Sequence, residues 1–232
     1  MCCNRQFKTY MGYQRHISLM HRTLEERKQH KRQYDRMWQK KWEQANPDAA
    51  RKNYLLWSRQ HKLKVIEVYG GKCCQCGENI SDFLELDHVN GGGQKDKRLA
   101  YLYTALVQKN NYKHPEGLPL QLLCSNCNHL KRNTYNIKNS SVFIMKQQVY
   151  EHYGNQCVCC KQNDVRVLTL DHVNNDGFRD KRPAINIYSY LLKHNFQYPF
   201  ELQLLCWNCN VGKHRNKGIC PHKNSEKVIL SQ

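Results

Sequence analysis

Two strings occur twice in this chain of 232 residues: LeuAspHisVal and GlnLeuLeuCys-x-AsnCysAsn. The first copy carries Cys73 and Cys76, then Asp87 and His88, then Cys124, Cys127 and Asn128. The second carries Cys157 and Cys160, Asp171 and His172, then Cys206, Cys209 and Asn210. The Asp-His pairs begin at 87 and 171 and the later Cys pairs at 124 and 206, so the chain holds a tandem duplication with two residues lost from the second intervening loop. Four thiolates on two C-x-x-C hooks match tetrahedral Zn²⁺ and leave no open position for catalysis. Redox use of the pairs is the alternative, but it does not need four cysteines twice at matched spacing. The remaining residues suit another metal. A carboxylate and an amide oxygen are hard ligands that leave most of a Mg²⁺ or Mn²⁺ sphere to water and phosphate. A neighbouring imidazole titrates in the range that lets it deprotonate a water. Lewis acid, base and basic side chains together are what metal-assisted phosphodiester hydrolysis requires.

The elements that must position these groups follow from local pattern. Val65, Glu67, Tyr69 and Gly70 match Val149, Glu151, Tyr153 and Gly154, so each copy opens with a helix end and a glycine turn. Leu84, Leu86 and Val89 around Asp87-His88 predict a short strand, and Leu120, Leu122 and Leu123 its partner. A helix is expected from about Cys127, which ties Asn128 to the last zinc ligand. Between these elements each copy has a Gly- or Asn-rich loop and a basic run, Lys95, Lys97 and Arg98 or Arg179, Lys181 and Arg182. A helical stripe follows: Leu99, Leu102, Tyr103 and Leu106, or Ile185, Tyr188, Leu191 and Leu192, with Pro183 acceptable in a first turn.

Upstream, Cys3, Phe7, Tyr13, His16 and His21 resemble the second half of a two-Cys, two-His finger, with Cys3, His16 and His21 as ligands of a third zinc. The first cysteine of such a finger would lie before Cys3 by three residues, so either the start is truncated or the finger is a three-ligand remnant. From Thr23 to about Gln60 the chain is rich in Arg, Lys and Gln, and Tyr34, Trp38 and Trp42 recur every four residues. Asn46 and Pro47 predict a helix cap and first turn there. Two basic helices along DNA phosphates are the functional reading, and a solvated linker whose aromatics pack on later modules the plain one.

Composition bounds these readings. The formal charge is +18, with 16 Lys and Arg against 6 Asp and Glu in residues 1–68, and 21 against 13 in the rest. Basic surface spread over every segment points to a polyanion, foremost nucleic acid, with a merely soluble basic protein as the alternative. Mean hydropathy is −0.85. No stretch approaches the ~20 apolar residues of a membrane span, and the N-terminus has no apolar signal core. Of 13 cysteines, Cys2, Cys3, Cys74, Cys159 and Cys220 stand outside the four pairs. Free thiols left over suit a reducing, intracellular setting: cytoplasm, or the nucleus or an organelle of a eukaryotic host.

Each copy resembles an HNH endonuclease domain of the zinc-bearing phage or homing type, over residues 62–139 and 146–222. Asn after the last Cys is similar to the HNN variants and the recombination endonuclease VII family. The resemblance implies an α+β chain of small zinc-stapled ββα-metal modules, with double-stranded DNA as the partner. Asp87 and Asn128 would hold the catalytic ion and His88 would be the general base, with Asp171, Asn210 and His172 repeating the set. Lys131, Arg132, Lys213 and Arg215 would grip the phosphate. The family's middle Asn, which helps orient the base, is Pro119 here and Glu201 in the second copy, which puts that orientation in question. His129 offers an extra ligand in the first copy. Cys220 and His222, in GlyIleCysProHis, read as surface residues, with a further ligand pair as the alternative.

The expected organisation is a finger-like segment at 1–22, a basic arm at 23–61, and modules at 62–139 and 140–232. The expected function is DNA cleavage without a small-molecule substrate, one strand per module. A zinc-dependent DNA-binding regulator with inactive sites is the alternative, and RNA as substrate is weaker without an RNA-binding motif. Oligomeric state and target sequence are not legible.

Overall fold

The computed structural model describes residues 6–17, 20, 23–91, 93, 103, 106, 111–132, 141–181 and 184–223. It is mixed helix and sheet, and it divides into two compact units, residues 1–57 and 58–232. Among the described residues no helix is long and apolar enough to cross a membrane.

In the first unit, Thr9 caps α1 (Tyr10–His16) by accepting the Gly12 N–H at 3.1 Å. The Phe7 ring lies 4.9 Å from the His16 ring and 5.8 Å from that of Tyr13. Of the expected finger ligands, Cys3 and His21 fall outside the described residues. Thr23 and Glu26 form a reciprocal capping box at the start of α2 (Leu24–Ala45), each side chain taking the other's backbone N–H. No residue of α2 is buried, and Tyr34, Trp38 and Trp42 are all exposed. The helix therefore rests on capping and on pairs such as Gln39 with Glu43, 3.0 Å apart. Asn46 ends α2 and Pro47 opens α3 (Pro47–Val68), as the sequence predicts.

The unit from 58 to 232 contains both copies. The C-terminal end of α3 buries Val65 and Ile66 in the first core. The chain then reverses through Gly70, whose φ of +92° suits glycine. Strand β1 (Leu84–His88) pairs antiparallel with β2 (Leu120–Cys124), and α4 (Ser125–Arg132) follows at once. The second copy repeats this. Helix α5 (Ser141–His152) buries Val149 and Tyr150 and turns at Gly154, φ +86°. Strand β3 (Leu168–His172) pairs with β4 (Leu202–Cys206), and α7 (Trp207–Arg215) follows. Helix α6 (Ala184–Lys193) buries Tyr188 and Leu191 and packs on α5. In the first copy Tyr103 and Leu106 of the expected stripe are buried. Leu99, Leu102 and the basic run 95–98 lie outside the described residues. The two hairpins share one register: Asp87 faces Gln121 and His88 faces Leu120, while Asp171 faces Gln203 and His172 faces Leu202.

The copies dock through α4 and α7. The Asn126 N–H donates to Asn208 Oδ1 at 2.9 Å, and the Asn208 N–H donates to Asn126 Oδ1 at 2.9 Å. Each helix start has N–H groups with no intrahelical acceptor, and here each copy supplies one to the other. The contact is isologous in the sense of a two-fold dimer, within one chain. Around it the copies diverge. In α7, Gly212 leaves room for Phe83, since a Cβ there would stand 2.4 Å from Phe83 Cε1 and 2.8 Å from Pro221 Cδ. The matching residue of α4 is Leu130, which packs against the core containing Val167, the counterpart of Phe83. A small residue meets a large one on one side, and the sizes even out on the other. Arg215 donates to the Asp82 carbonyl at 2.7 Å and to Glu85 at 2.8 Å.

Overpacking this contact should destabilise the chain. Gly212→Ala is expected to lower stability by about 1–3 kcal/mol. Phe83→Val in the same chain should offset part of that loss, a non-additive pair in a double-mutant cycle read by urea unfolding.

Candidate metal centres and the repeated polar face

In each copy the first Cys pair sits on a tight knuckle laid against the hairpin. Cys73 N–H donates to the Glu78 carbonyl (2.8 Å) and Cys74 N–H to that of Leu122 (3.0 Å). Cys157 and Val158 repeat these bonds to Gln162 and Leu204. The third cysteine ends the second strand and the fourth lies in the first helical turn. Cys73, Cys76, Cys124 and Cys127 come together with all four sulfurs within 4.8 Å, and so do Cys157, Cys160, Cys206 and Cys209. Cys76 and Cys124 sulfurs are 3.6 Å apart, Cys160 and Cys206 sulfurs 3.7 Å. Tetrahedral ligands at about 2.3 Å from an ion stand roughly 3.8 Å from each other, so both groups are close enough to hold one. Burial pushes the Cys124 thiol up to about 11, and burial plus the charge of Cys124 pushes Cys127 higher still. Four thiolates at one point need a cation to ionise together.

The second repeated feature is polar. Asp87 accepts from Gln121 Nε2 at 2.9 Å and pairs with Lys131, whose ammonium also donates to the His88 carbonyl. In the second copy Asp171 accepts from Gln203 at 2.7 Å and from Lys213 at 2.6 Å, and Lys213 also reaches the His172 and Val173 carbonyls. Shared register explains the glutamines, which the sequence repeats but whose role it does not disclose. The lysines reach the carboxylates because each hairpin runs directly into its helix. Lys131 and Lys213, expected on phosphate, thus lie on the aspartates, and Arg215 is engaged by the first copy. Arg132 is exposed at the end of α4.

Asn128 stands one turn before Lys131 on the same helix face. It donates to Glu85 at 3.0 Å, while its Oδ1 is buried with no hydrogen-bond partner. Such an orphaned acceptor is rare, and a hard cation would satisfy it. Asn210, its counterpart, is partly buried on α7.

His88 and His172 close β1 and β3 directly after the aspartates. His88 is buried beside His114, with ring centroids 5.1 Å apart. His172 Nε2 is 3.3 Å from Asp180 Oδ2, and Tyr198 donates to the same carboxylate oxygen. Asp180 thus orients the second histidine, a task the sequence reading left open at Glu201. Pro119 and Glu201 contribute instead through backbone carbonyls, which accept from the Val89 and Val173 N–H groups at 2.9 Å. Both rings lie close against a glycine: a Cβ at Gly93 would be 2.8 Å from His88 Nδ1, and one at Gly177 2.9 Å from His172 Nδ1.

His129, read as an extra ligand, stacks on Trp207 of the other copy at 4.6 Å, and burial lowers its pKa, followed by the charges of Lys146 and Arg132. Cys220, read as a surface residue, is buried. Comparison with family models, with characterised proteins and with solved structures found no match to this chain.

The Asp171–Lys213 pair is the better buried, with side chains 11 % and 7 % exposed against 16 % and 25 % for Asp87–Lys131. Removing one partner of a buried pair leaves an uncompensated charge. Lys213→Met is therefore expected to lower stability by about 3–5 kcal/mol, and Lys131→Met by less, in matched urea denaturation curves.

Proposed function

We propose that this chain is a metal-dependent DNA endonuclease of the HNH type, built from two ββα-metal modules that zinc holds together. The observation that carries the proposal is the repeated polar face. Asp, Gln and Lys form the same bonds in both copies, beside the same Asp-His end and the same glycine against the histidine, while Ile66 and Phe83 of the first copy become Tyr150 and Val167 in the second. Structural need alone does not call for that repetition.

In this reading the four cysteines of each copy hold Zn²⁺, which fixes the strand end and the first helical turn. Asp87 and Asn128, and Asp171 and Asn210, would hold Mg²⁺ or Mn²⁺. That ion, when bound, supplies Lewis-acid stabilisation of charge on the phosphate and the leaving oxygen. His88 and His172 take the proton of the attacking water. In the second copy the Asp180 carboxylate fixes the ring and stabilises the imidazolium that results. Lys131 and Lys213 neutralise the aspartates in the absence of substrate and supply positive charge beside the phosphate when DNA is present. The basic helices α2 and α3 follow the phosphate backbone, and their exposed aromatic residues add contact area.

The Asp–Lys pairs also favour a second reading, in which the aspartates are purely structural and the chain is a zinc-dependent DNA-binding regulator. Supercoiled plasmid incubated with Mg²⁺ separates the two. Wild type should yield linear DNA, and His88→Ala or His172→Ala mainly nicked circles. The double variant should be slower by at least ~10²-fold. Plasmid bound but left intact by wild type on several DNAs, with Mg²⁺ or Mn²⁺, would establish the regulator instead.

A further inference from the structure

A second cluster of metal-ligating groups lies next to the cysteine site of the second copy and has no place in the reading above. Cys159, Cys209, Cys220 and His222 bring one ligand atom each to within 4.8 Å of the others. His222 Nδ1 is 3.3 Å from Cys209 Sγ and 3.6 Å from Cys220 Sγ. Cys209 already belongs to the group of Cys157, Cys160 and Cys206. We propose that the second copy binds two zinc ions that share the Cys209 thiolate, one held by Cys157, Cys160, Cys206 and Cys209, the other by Cys209, Cys159, Cys220 and His222.

Coordination chemistry favours this arrangement over one ion with spare thiols. Seven donors around one shared sulfur complete two tetrahedral sets, S₄ and S₃N, both closed structural environments for Zn²⁺. The donors come from four short segments: the knuckle, the end of β4, the first turn of α7, and the segment 218–222 that follows α7. That last segment is built to return. Gly218, at φ +94°, donates to the Lys213 carbonyl at 2.9 Å, and Lys223 N–H donates to the Cys220 carbonyl at 3.0 Å. Cys220 is 4 % exposed, so a thiol there is not a solvent-facing accident of composition.

The first copy is an internal control. At the places of Cys159, Cys220 and His222 it has Gln75, Lys138 and Ser140. None of these is a zinc ligand, so the first copy lacks the donors of this second zinc set. The extra ion also has a place in the architecture. The His222 ring lies 4.9 Å from the ring of Phe83, the residue of the first copy that fills the space above Gly212. Holding His222 through its Nδ1 would fix one wall of that contact, so the second ion would brace the joint between copies as well as the second knuckle.

Native mass spectrometry of the full chain, purified with Zn²⁺ under reducing conditions, tests this. His222→Ala and Cys159→Ser should each bind one ion fewer than wild type, whatever the N-terminal segment contributes, because only the difference is read. Gln75→Ala, at the matching place in the first copy, should leave the count unchanged. Equal counts in wild type and in folded His222→Ala and Cys159→Ser would overturn the second ion. So would a Cys159–Cys220 disulfide in the reduced wild type. Wild type loaded with ¹¹³Cd tests the bridge without any variant. Besides the singlet of the first copy's ion, two cadmium resonances split by the same coupling are expected, and a spectrum of unsplit resonances alone would overturn the shared thiolate.

Discussion

The rest of the second unit depends on one constraint: four cysteines from three separate elements must meet at a point. In the first copy these are the knuckle of Cys73 and Cys76, the end of β2 at Cys124, and the first turn of α4 at Cys127. Five-residue strands and an eight-residue helix bury too little to fold by themselves. With the thiols joined, the hairpin register, the start of the helix and the distance between them are set together. Lys131 then falls over Asp87 and Asn128 over Glu85 without any further device, because both sit on the turn that the last cysteine begins. The second copy reaches the same result although Ile66 and Phe83 are replaced there by Tyr150 and Val167.

The docking of the two copies shows what duplication preserves and what it releases. The reciprocal bonds of Asn126 and Asn208 keep the helix starts face to face, and they come from the repeated AsnCysAsn string itself. Away from that axis the two sides have exchanged volume, Phe83 against Gly212 and Val167 opposite Leu130. They have also acquired a charge pair, with Arg215 of one copy on the Glu85 carboxylate of the other and on its Asp82 backbone carbonyl. A covalent tandem allows such divergence, since each side of the contact mutates independently, whereas in a homodimer every change appears twice.

Much of this was legible in the sequence because it depends on spacing along the chain. Paired C-x-x-C strings predict the sulfur clusters, alternating leucines predict β1 to β4, and Asn46-Pro47 predicts the break between α2 and α3. Other features depend on which residues meet across the fold. Gln121 and Gln203 repeat, but only the strand register shows that they face the aspartates. Gly93 and Gly177 look like loop glycines until the imidazole beside each is seen. Asp180 stands eight residues beyond His172, where nothing local marks it as the partner of the ring. Cys220 reads as exposed because it follows the last helix, and it is buried because the chain turns back at Gly218.

The central claim is that each hairpin–helix unit presents Asp and Asn to a divalent cation distinct from zinc. Electron paramagnetic resonance of Mn²⁺ added to the zinc-loaded protein tests it without any substrate. The account predicts two bound Mn²⁺ per chain, one lost in Asp87→Ala, the other in Asp171→Ala, and both in the double variant, with zinc content unchanged. Mn²⁺ that stays free in wild type at millimolar concentration, or binds equally to the double variant, would contradict it.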